Sequence, residues 1–142
     1  MKKFLVSIIF SLSVMSCEDV GDDLGFQPYA VTDRVSYAAG EPITVTIGSN
    51  RHIGVLDCCG GLPFYLDRLV QDDWTQHSYF GIICPLVCPS MYHGIGPEEV
   101  YTAATVLSDN PEPGTYRLRI PYSDGRASPE GPQVLTNPFT VR

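Results

Sequence analysis

Ile43-Thr44-Val45-Thr46-Ile47 decides the fold. Its apolar side chains fall at every second position, with threonines between them. In an extended chain successive side chains point to opposite faces, so this run has one face for a core and one for water. All five residues are β-branched, which suits a pleated strand better than a helix. Gly40-Glu41-Pro42 reads as the turn that enters the strand. Ser49-Asn50-Arg51 reads as the turn that leaves it, with Ile53 to Asp57 as the expected partner strand.

Working outward, Phe64 to Val70 is a second extended run, and Val35 to Tyr37 a short one placed to pair at an edge. Gln71-Asp72-Asp73 is a polar turn, after which Trp74 opens another strand. Pro97-Glu98-Glu99 has the look of a helix start, but Val100-Tyr101-Thr102 and Thr105-Val106 are β-formers, and strand is the expectation. Asp109 to Gly114 is a turn. Tyr116 to Ile120 alternates again, with Arg117 and Arg119 expected to face solvent. Ser123 to Gly131 reads as a loop, and Leu135 to Val141 ends the chain with Pro138 interrupting one ladder position. With 13 Gly and 12 Pro as punctuation, the expected class is all-β, an antiparallel β-sandwich.

Residues 80–97 show no steady period. They read as a long loop carrying Tyr79, Phe80, Met91 and Tyr92 at its ends, a candidate binding surface. Cys84 and Cys88 lie within it, and Cys58 and Cys59 lie ahead of it. An even number of cysteines in an exported chain reads as disulfides. Pairing the neighbours Cys58 and Cys59 would close a strained ring, so both remaining connectivities tie the 58–59 segment to the 84–88 segment. Each crosslink would stabilise by roughly 3 kcal/mol on the chain-entropy argument.

Export is read from the other end. Lys2 and Lys3 precede the apolar run Phe4 to Val14, which is too short to span a membrane. Val14-Met15-Ser16-Cys17 then resembles a lipobox, the cleavage and lipidation site of bacterial lipoproteins. The resemblance implies a signal peptide over 1–16 and a palmitate-type anchor on Cys17. It places the chain in the cell envelope, on the extracytoplasmic side, with the outer membrane of a gram-negative bacterium as the expected home. Several acyl chains hold a protein firmly to a bilayer where one does not. Residues 17–28, rich in Asp, Glu and Gly, read as a flexible tether, and 29–142 as one domain.

Without the leader the chain keeps seven arginines and no lysine against 16 acids, a net charge of −9. Such a surface repels phosphate backbones, so nucleic acid is not an expected partner. Neither a phosphate-binding glycine loop nor a nucleophile elbow is present. Asp72-Asp73 and Glu98-Glu99 are adjacent, so in a strand their side chains diverge and make poor acid–base pairs. No enzyme activity, metal or cofactor is expected. The spacing Cys84-x3-Cys88-x4-His93 would suit zinc or copper, which leaves a metal-handling lipoprotein as one alternative.

Tyr37-Ala38-Ala39-Gly40-Glu41-Pro42-Ile43-Thr44-Val45-Thr46, Pro113-Gly114-Thr115-Tyr116-Arg117-Leu118 and Asn137-Pro138-Phe139-Thr140-Val141 resemble bacterial immunoglobulin-like domains. The resemblance implies a small sandwich and a tyrosine corner at Tyr116. The pattern is also similar to bacterial intracellular proteinase inhibitors, which would make the 80–97 loop an inhibitory face. The leading expectation is a lipid-anchored binding or structural module whose partner is an envelope protein or glycan.

Overall fold

The computed structural model describes residues 25, 27–57, 61–80, 91–107, 111–125 and 131–142. Among these, every regular element is a strand: β1 (Tyr29–Thr32), β2 (Ser36–Tyr37), β3 (Pro42–Gly48), β4 (Ile53–Asp57), β5 (Phe64–Val70), β6 (Asp73–Phe80), β7 (Met91–Ile95), β8 (Val100–Val106), β9 (Gly114–Ser123), β10 (Gln133–Leu135) and β11 (Phe139–Val141). The strands form two sheets. The smaller runs β1-β3-β8. The larger runs β2-β11-β9-β4-β7, with β5 and β10 also on β9 and β6 on β5.

The alternation of 43–47 holds. Ile43, Val45 and Ile47 are at most 1% exposed, while Thr44 and Thr46 sit half-buried on the other face. Inward residues of both sheets make one core, including Val55, Phe64, Leu66, Tyr116, Leu118, Ile120 and Phe139. Burying a side chain of this size stabilises by about 1.5–3 kcal/mol, so these two inward faces are what the sandwich stands on.

The larger sheet is organised on β9. One edge of β9 takes β11 and then β10, the final strand broken at Asn137-Pro138. The other edge takes β5 and then β4. Both run antiparallel to β9, so β4 and β5 are two halves of one line interrupted between Asp57 and Phe64. The next line is broken in the same place: β6 pairs with β5 and β7 with β4. β2 adds parallel to β11 at the sheet's far edge.

Two sequence expectations are corrected. Ile53–Asp57 is a strand, but it does not pair with β3. Both edges of β3 are filled, by β1 and β8, so the 49–52 connection crosses to the other sheet instead of closing a hairpin. The 80–97 loop is also too long. Phe80 ends β6, and Met91–Ile95 is a strand because β4 offers it five backbone partners, from Ile53↔Ile95 to Asp57↔Met91.

Gln71 and Asp72 both have positive φ, 49° and 70°, between the paired residues Val70 and Asp73. This two-residue turn has the hand that matches strand twist, although its residues are not the usual Asn-Gly.

Candidate binding face

Asp67 is the one acid in an apolar strand, and it is 4% exposed. Its backbone partner on β9 is Arg117, and the partner of Tyr65 two residues earlier is Arg119. Cross-strand partners share a face, so the alternation of β5 and β9 brings two guanidinium groups to one carboxylate. Arg117 Nε donates to Asp67 Oδ2 at 3.2 Å. Arg119 Nη2 lies 3.3 Å from Oδ1. That second contact is an ion pair without hydrogen-bond alignment, and Oδ1 has no other partner.

The arginines are held from their other sides as well. Arg119 donates to Gln133 on β10 at 3.1 Å and to Gln76 on β6 at 2.8 Å. Its guanidinium sits 4.6 Å from the Tyr65 ring centre, and that of Arg117 sits 4.3 Å from Trp74. Trp74 comes into range because β6 shifts register between Leu66 and Asp67, making it the partner of Leu69. Stacking on a ring and ion pairing to a buried carboxylate together remove rotamer freedom from a side chain that otherwise has much of it.

The expectation that Arg117 and Arg119 simply face solvent is therefore corrected. Their side chains are only 21% and 27% exposed. Two cations on one anion leave a local charge of +1 on a chain that is otherwise strongly acidic. The result is a rigid, aromatic-backed guanidinium pair on the outer face of the larger sheet. It can recognise a planar anion or stack against a flat polar group, and Arg, Trp and Tyr are the residues that dominate interface energetics.

The sequence pointed to other residues. Tyr79 and Phe80 close β6, and Met91 and Tyr92 open β7. Tyr79 is the backbone partner of Tyr65, so that part of the reading borders the arginine pair. Tyr92 is 68% exposed. Cys17, Cys58, Cys59, Cys84 and Cys88 lie outside the described residues. The strands that flank the last four are described, however. Asp57 pairs with Met91 and Phe64 with Phe80.

The histidines separate. His77 lies 5.8 Å from the Tyr116 ring and His93 lies 4.7 Å from the Tyr101 ring, while His52 sits in the β3–β4 connection. Among the described residues no three of His, Cys, Asp and Glu are grouped as a metal would need. Tyr101 itself donates to Asp57 Oδ2 at 2.7 Å, from the smaller sheet to the larger. Burial first, then the hydrogen bond and charge of Asp57, push its hydroxyl up to about 12.

No protein-family model matches the chain, and no curated protein matches it. Among solved structures it is similar to the sporulation control protein Spo0M from Bacillus subtilis, at 14% identity and a TM-score of 0.38. The match covers 83% of this chain and 49% of that one, so this chain spans about half of Spo0M's length, and no argument is drawn from a likeness of that size.

Proposed function

We propose that this chain is an envelope lipoprotein, acylated at Cys17, whose sandwich is immunoglobulin-like and works as a binding module. The observation that carries the binding role is the Arg117–Asp67–Arg119 cluster stacked on Trp74 and Tyr65. A buried carboxylate holding two arginines adds little net stability over an apolar replacement. Rigid presentation of guanidinium and indole is what it supplies, and that lowers the ordering cost of binding.

Three features support the immunoglobulin-like assignment. The chain crosses between sheets after β3. β2 leaves the β1 side to run parallel to β11. Tyr116, fully buried, donates its hydroxyl to the Glu112 carbonyl at 2.7 Å, the bond of a tyrosine corner. The pairing of Asp57 with Met91 and of Phe64 with Phe80, the described residues on either side of the cysteines, supports disulfides from Cys58 and Cys59 to Cys84 and Cys88. The partner is an envelope protein or glycan presenting an anionic or flat polar group.

The test is a photo-reactive residue in place of Trp74, irradiated in intact cells. Discrete adducts are expected, absent from the same probe at exposed Glu98 and lost when Arg117→Ala is added. Equal labelling at both positions would refute the binding face. A clickable palmitate analogue that still labels Cys17→Ala would refute the anchor.

A further inference from the structure

The smaller sheet carries an interaction edge of its own. β8 pairs with β3 along all seven residues from Val100 to Val106, without a bulge. Among the described residues no strand pairs with its other edge. An open edge presents a row of unpaired N–H and C=O groups, and proteins usually blunt one with charge, proline, a bulge or shortness. The other edges follow that practice. β2 has two residues, β1 has four and follows Pro28, and the β6–β7 line is interrupted and bulged. Pro97, Glu98 and Glu99 stand just ahead of β8, but its seven residues, Val100-Tyr101-Thr102-Ala103-Ala104-Thr105-Val106, hold no charge, proline or bulge.

We infer that β8 pairs with β8 of a second copy of this chain, antiparallel and centred on Ala103. The strand is close to a palindrome, which identifies the occupant. In that register Val100 faces the second copy's Val106, Thr102 faces its Ala104, Tyr101 faces its Thr105, and Ala103 faces itself. Every pair is uncharged. Val100 and Val106, 58% and 48% exposed in one copy, cover each other at both ends. The contact is isologous, closes as a dimer and leaves no β8 edge free. It joins two three-stranded sheets into one of six and leaves the Asp67 face on the larger sheet untouched. The chain's net negative charge opposes the association, so salt strengthens it.

The experiment is sedimentation equilibrium of the mature, full-length chain in density-matched detergent over a concentration series. A parallel sample carries a photo-reactive residue in place of Val100. A monomer–dimer equilibrium is expected, with crosslinks from position 100 to the peptide containing Val106 of the other copy. Thr102→Lys brings like charges together near the two-fold axis and weakens the dimer roughly tenfold, about 1.4 kcal/mol. Mixing Thr102→Lys with Thr102→Glu restores it. Residue 102 is exposed, and unchanged melting of each variant confirms that the fold is intact. A chain that stays monomeric at every concentration overturns the proposal. So does a dimer indifferent to charge at position 102, or one crosslinked through β1.

Discussion

The outer faces of the two sheets are built on opposite principles. β1, β3 and β8 contain not one charged residue. Their outward rows are Tyr29, Gly48, Val100, then Val31, Thr46, Thr102, then Thr44, Ala104. Small and β-branched side chains lie flat there, with Tyr29 over Gly48, where a Cβ would come within 2.4 Å of its hydroxyl. The outer face of the larger sheet instead carries Asp67, Arg117 and Arg119 within two neighbouring strands. The first face offers small side chains beside an edge that no strand pairs among the described residues. The second offers charged side chains that hold one another in place.

The largest break comes at Asp67. Asp67→Asn leaves two arginines without their anion, and unfolding in urea should show a loss of about 3 kcal/mol. Thr46→Val, on the half-buried outer face of the other sheet, should shift stability by less than about 0.5 kcal/mol. Trp74→Ala removes one stacking surface and is expected to cost about 1 kcal/mol. Its melting curve should stay cooperative.

The line between the sheets responds to alkali. The Tyr101 hydroxyl is raised in the fold, so its contribution is fully present below pH 10 and fades as pH rises toward about 12. Tyr101→Phe should flatten that limb of the stability profile, measured by urea titration at successive pH values.

The smallest effect is at the rim of the bare sheet. Burial works against the Asp33 charge, but the hydroxyl of Tyr37, the Thr44 N–H and Arg34 outweigh it and hold its carboxyl below the usual 3.8. The Ala38 N–H, then Arg34, hold Glu41 below 4.5. Both contributions are present above those ordinary values and fade as pH falls through the folded ones. Glu41→Gln should lower stability slightly at pH 7 and converge with the parent chain in acid, so its acid limb, followed by urea titration, is slightly less steep.

What the sequence disclosed follows from which interactions are local. The alternation at 43–47 and 116–120 and the turn at 71–72 are written within a few residues, and each is where it was expected. Partner choice is not local. Ile53–Asp57 looks like a hairpin mate for β3 until β8, 50 residues on, has taken that edge. Met91–Ile95 has no steady period and becomes a strand only because β4 lies beside it. Asp67 was the missed residue. A lone acid in Phe64-Tyr65-Leu66-Asp67, set against arginines at alternate positions 117 and 119, was the available signal. Only the register of β5 on β9 turns it into a cluster.

The reach of β9 has a consequence for how the molecule is made. Its ten residues contact four other strands, β4, β5, β10 and β11. A chain made amino end first therefore leaves most strands of the larger sheet unpaired until residue 123 is available. Pairings between distant segments form slowly, so the unfinished polypeptide has a long period of exposure to proteases and chaperones. Truncation before Gly114 should yield a protease-sensitive fragment, not a smaller folded one.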